Sequence, residues 1–214
     1  MLALMANMAS FAQTEFGTVL VPDPTIPEDD WNRAAKTIGN IKPYMSDDTV
    51  AQYCPNCVTK YGLDSCRMKL LTIFMTEGNG KFQSAGDSYG PGHVHEKDVY
   101  ADYRKRESGK PGFIDFKIEE LDDSLKLRYT LMLLDWHISS PGKYKYDSEE
   151  KWVRAWNGGP TGWKDHLKRK DFETEEKWQT HQEKVRNTMN YWLLYLLHQR
   201  VLVEQARLGI SQFL

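Results

Sequence analysis

Glu77 ends an apolar run, Leu70-Leu71-Thr72-Ile73-Phe74-Met75-Thr76-Glu77, and Gly78-Asn79-Gly80 follows it. The run reads as helical. Glycine, which takes the left-handed backbone of a helix stop, closes it. A carboxyl group there meets the negative pole of the helix dipole and the apolar neighbours Ile73 and Phe74, and both disfavour its charged form. A carboxylic acid that keeps its proton near neutral pH is what a general acid needs. The bland alternative is a solvated charge at a helix end.

Two glycine-rich loops carry the remaining candidate groups. The first contains Asp87 and then Ser88-Tyr89-Gly90-Pro91-Gly92-His93-Val94; the second is Ala155-Trp156-Asn157-Gly158-Gly159-Pro160. His93 and His95 flank Val94, so an extended segment would point both imidazoles to one face. Asp87, in Gly86-Asp87-Ser88, reads equally as a turn residue. Asn157 reads equally as a helix stop tolerant of the left-handed region. The chain has three cysteines, Cys54, Cys57 and Cys66. Their spacing admits a structural zinc with a histidine as fourth ligand, or one disulfide plus a free thiol. No other cofactor is indicated.

Taken in order, these motifs resemble lytic transglycosylases and goose-type lysozymes. That superfamily runs from Glu-Ser, through Ser-x-Gly-Leu-Met-Gln-Val/Ile, to Ala-Tyr-Asn-Gly-Gly. Here the counterparts are Glu77-Gly78, the segment 88–94, and Ala155-Trp156-Asn157-Gly158-Gly159, with Lys184-Val185 on a closing helix. The likeness spans about residues 64–185. Three positions depart from the pattern: Gly78 replaces the serine, His93 the glutamine, and Trp156 the tyrosine, which keeps a stacking surface and loses a phenol.

The resemblance implies a mainly α, lysozyme-like fold with a small irregular or β-hairpin active-site loop. It implies cleavage of the β-1,4 bond between N-acetylmuramic acid and N-acetylglucosamine in peptidoglycan. Glu77 would be the acid and then the base. Ser88, His93 and Asn157 would hold acetamide or hydroxyl groups, and Tyr89 and Trp156 would face the sugar rings. A lytic transglycosylase needs no second carboxylate. A lysozyme-type hydrolase does, and Asp87 is the nearest candidate. The rival reading is an inactive or weak lysozyme-like component of a virion or an envelope-spanning secretion apparatus. Either way the chain is expected on a virion, in the periplasm or in the cell envelope, with glycan strands or a larger assembly as partner.

The elements that must position these groups are nearly all helices. Pro27 followed by Glu28, Asp29 and Asp30 opens one over 28–39. Ser46 caps a second to residue 53, and Asp64 caps the helix over 65–77. Residues 78–94 hold five glycines and read as a loop with room for a hairpin. Helical pattern returns over 95–106 and 115–138, where Leu121, Leu125, Tyr129, Met132 and Trp136 mark a buried stripe. Asp147 with Glu150 resembles a capping box for a helix through 156. The last helix covers 173–208, with its 191–197 segment buried or facing a partner. An apolar arm (1–12) and a proline-rich linker (17–27) make up an N-terminal region, 1–27. The helical domain is 28–208 and the tail 209–214.

At 214 residues and a net charge of −2, with 40% apolar and 27% charged residues, one folded domain is the default. The charge balance argues against nucleic-acid binding, which requires a basic excess. No apolar stretch is long enough for a transmembrane helix. The first residues resemble a secretory leader but lack its positive n-region, so a retained arm is favoured. The 7 Trp and 11 Tyr suit a sugar-binding groove as well as an ordinary core.

Overall fold

The computed structural model describes residues 12–14, 17–19, 23–82, 88–116, 121–139, 146–159 and 161–209. Most of the apolar arm (residues 1–11), Asp87 and residues 210–214 of the tail lie outside this set. Two short antiparallel strands, β1 (Ala12–Thr14) and β2 (Gly17–Val19), come first. Residues 17–19 are therefore strand rather than open linker. β-branched Thr18 and Val19 fit that conformation.

Helix α1 (Glu28–Ile41) begins after extended Pro27 and carries three acids in its first turn. Helix α2 (Asp47–Tyr53) is capped as its sequence predicts, the Ser46 hydroxyl accepting the Thr49 N–H. Helix α3 (Pro55–Tyr61), with proline at its first position, was not anticipated. It is seven residues long, too short to show a helical period. Buried Asp135 holds its start, accepting hydrogen bonds from Cys57 N–H at 2.7 Å and Asn56 Nδ2 at 2.8 Å.

Helix α4 (Leu63–Gly78) is the centre of the molecule. Leu70, Leu71, Ile73, Phe74 and Met75 are at most 1% exposed, so apolar residues face neighbours all round. Gly62, at φ 80°, precedes the helix; Asp64 lies in its first turn and does not cap it. Asn79 (φ 62°) ends it, with Gly80 also left-handed. Cys57 and Cys66 form a disulfide that ties α3 to α4, their Cα atoms 5.6 Å apart.

A hairpin of β3 (Ser88–Tyr89) and β4 (Val94–His95) follows, then a π-helical turn (Glu96–Tyr100) running into α5 (Ala101–Glu107). Helix α6 (Asp123–Ser139) starts later than its pattern suggests. The Tyr100 hydroxyl accepts the Phe116 N–H, and the Phe116 ring stacks between Tyr100 and Tyr129, so tertiary packing takes that segment out of the helix. The buried stripe is also corrected. Leu127, Leu131, Leu134 and Ile138 are buried, whereas Leu125, Tyr129, Met132 and Trp136 are half-buried and Leu121 lies before the helix.

Helix α7 (Glu149–Gly158) is capped by Ser148, whose hydroxyl accepts the Lys151 N–H, and not by Asp147. A 3-10 turn (Arg169–Asp171) leads to α8 (Glu175–Arg207), which packs along both α4 and α7. The fold is mainly α. Among the described residues no helix is long and apolar enough to cross a membrane.

Candidate active site

Glu77 lies in the last turn of α4 with its side chain 13% exposed. Three other elements converge on its carboxyl group. From α8 the Tyr191 hydroxyl donates to Oε1 at 2.6 Å. From α7 the Trp156 side chain supplies a second hydrogen bond. From the loop between β3 and β4, His93 Nδ1 stands 3.6 Å from Oε2. Burial pushes the Glu77 pKa up to about 7, against the opposing pull of the bonds from Tyr191 and Trp156. The acid therefore sits where protonated and ionised forms are both accessible near neutral pH.

The neighbours hold complementary states. Burial and proximity to His95 lower the His93 pKa, which favours a neutral imidazole beside Glu77. Burial and Glu77 raise the Tyr191 pKa well above the ordinary value, so the phenol keeps the proton that it donates. Among the described residues no other carboxylate pairs with Glu77.

The backbone around the acid is pinned. Asn40 of α1 donates from Nδ2 to the Asn79 carbonyl at 2.9 Å. His93 itself has φ 46°, so the segment is not extended and the two histidines do not act as a pair. His93 turns to Glu77, while His95 meets the buried Ser88 hydroxyl at 2.9 Å through Nε2. Gly90 and Gly92 press the loop onto α6: a Cβ at Gly92 would lie 2.8 Å from Thr130 Cγ2. A Cβ at Gly78 would lie 2.7 Å from His93 Nε2. Gly78 and His93 are thus spatially coupled, because the imidazole occupies the room that a side chain at position 78 would use.

Other predicted site residues fall differently. Trp156 is 7% exposed and packs edge-to-face on His137, so it offers no free face to a sugar and serves instead as a donor to Glu77. Ser88 braces the hairpin, and Tyr89 is half-buried against the core. Asn157 is exposed and helical. The helix stop is Gly159, at φ 71°. Asp87 lies outside the described residues. The zinc reading of Cys54, Cys57 and Cys66 is corrected: two of the thiols form the disulfide, and buried Cys54 donates to the Leu131 carbonyl. Among the described residues no group of three or more potential metal ligands is assembled.

Tyr191 was missed. Its signal lay in α8, where Thr188, Tyr191, Tyr195 and His198 recur at helical spacing on one face. Each meets a polar group of another segment: Thr188 the Gly162 carbonyl at 2.5 Å, Tyr191 Glu77, Tyr195 Glu149 at 2.6 Å, and His198 the Thr76 hydroxyl at 2.9 Å. No family model, curated protein or solved structure matches the chain.

Proposed function

We propose that this protein is a lysozyme-like, peptidoglycan-cleaving lytic transglycosylase, with Glu77 as its general acid and base. The observation that carries the reading is the Glu77 carboxyl itself, mostly buried at the end of the central helix and raised to about 7. Protonated, it delivers its proton to the glycosidic oxygen between N-acetylmuramic acid and N-acetylglucosamine as that bond breaks. The carboxylate left behind already has the Tyr191 and Trp156 donors in place, so stabilisation is strongest once charge has appeared. The muramoyl acetamide assists at the anomeric carbon. The carboxylate then takes the proton of the sugar 6-hydroxyl as its oxygen closes the 1,6-anhydro ring, which restores the acid. A disulfide suits a periplasmic, envelope or virion setting.

The second reading, an assembly component with little activity, draws on Leu193, Leu196 and Val203, large apolar side chains 39–57% exposed on α8. Digestion of purified peptidoglycan with mass spectrometry of the products separates these readings. Anhydro-muropeptides are expected; reducing ends would select a hydrolase, and no release by folded protein would select the assembly component.

A further inference from the structure

A cavity of about 530 Å³ opens beside the end of α4, between α1, residues 81–82 and the start of α6. Three lysines from three separate segments line it: Lys36 of α1, Lys81 just past α4, and Lys126 of α6. Asp123 is 3.8 Å from Lys126 and offsets one charge. No carboxylate among the described residues pairs with Lys36 or Lys81, which leaves a local positive excess on a chain of net charge −2. Tyr44 and Phe82, packed edge-to-face at 5.1 Å, add an apolar wall. The same cavity is lined by Asn40, whose side chain holds the Asn79 carbonyl two residues beyond Glu77.

We propose that this cavity binds the carboxylates of the short peptides attached to the glycan strand, a role that rests on the peptidoglycan reading above. The ligand class follows from the lining. Ammonium groups without carboxylate partners among the described residues favour an anion, more than one of them favours a ligand with several carboxylates, and the aromatic wall suits one with aliphatic side chains. Reach agrees. Four Cα steps of about 3.8 Å put Lys81 within about 15 Å of Glu77, and an extended peptide of about four residues spans about 14 Å. The stem would thus orient the strand while Glu77 acts on the sugar.

The test is binding of a fluorescent stem tetrapeptide with free carboxylates to the wild-type protein, the Lys36→Gln/Lys81→Gln/Lys126→Gln variant, Lys36→Glu and Glu77→Gln. A fully amidated peptide and inorganic phosphate serve as comparison ligands. Expected are binding that weakens with added salt, a loss of at least about tenfold in the triple variant, a clear loss in Lys36→Glu, and no change in Glu77→Gln. Equal binding by the triple variant, or by the amidated peptide, would overturn the proposal. So would inorganic phosphate binding as tightly as the peptide, which would leave a simple anion site. Peptide binding without glycan cleavage would uphold the cavity and refute the transglycosylase; cleavage without peptide binding would do the reverse.

Discussion

At the scale of residues, the proposed chemistry depends on Glu77 and the two donors that meet it. Burial raises its pKa, and the Tyr191 bond holds that rise in check. Tyr191→Phe removes a donor that favours the carboxylate, so Glu77 becomes a weaker acid and the alkaline fall-off in rate moves to higher pH. One lost hydrogen bond of about 1.4 kcal/mol corresponds to a drop in kcat of roughly tenfold. A pH profile of kcat checks both. A slower enzyme with an unmoved profile would assign Tyr191 to packing alone. Glu77 was legible in the sequence because its apolar run and helix stop are adjacent to it. Tyr191 was not, since 114 residues separate it from its partner. Trp156 stands out in the sequence as a ring-facing candidate, but a motif does not show which way an indole points, and the fold buries it beside Glu77.

At the scale of elements, α4 positions the acid and its neighbours fix α4. The disulfide fastens its first turn to α3 across a separation of nine residues. Closing a loop of that size in the unfolded chain is worth about 2.5 kcal/mol. Cys57→Ala/Cys66→Ala is therefore expected to lower the free energy of unfolding by about that amount, read from denaturant midpoints at constant slope. A variant as stable as the wild type would show that α3 is held by Asp135 alone. Helix starts with a hydroxyl or acidic signature were readable, as at Ser46 and Pro27, while capping shifted by one or two residues at Asp64 and Asp147. The stripe of α6 was misplaced because that helix is apolar over most of its circumference, leaving periodicity little to discriminate. The Gly78–His93 coupling was visible in sequence only as two separate oddities; their contact required the fold.

At the scale of the whole molecule, the mainly helical character was legible from composition and pattern, and so was room for a hairpin at the end of the glycine-rich segment 78–94, where β3 and β4 pair. The pairing of β1 with β2 was not, because strands of three residues carry too few alternating positions. What the assembled fold adds is convergence: α7, α8 and the hairpin loop each send one side chain to the carboxyl group that α4 carries. The most direct test of that convergence is the rate of peptidoglycan cleavage by the wild type and by Glu77→Gln across pH 5 to 9. The acid must carry its proton to act, so the wild-type rate should fall as pH rises through about 7. Glu77→Gln, folded as shown by circular dichroism, should release nothing at any pH. Equal release by the two proteins, or a wild-type rate indifferent to pH around 7, would contradict Glu77 as the acid.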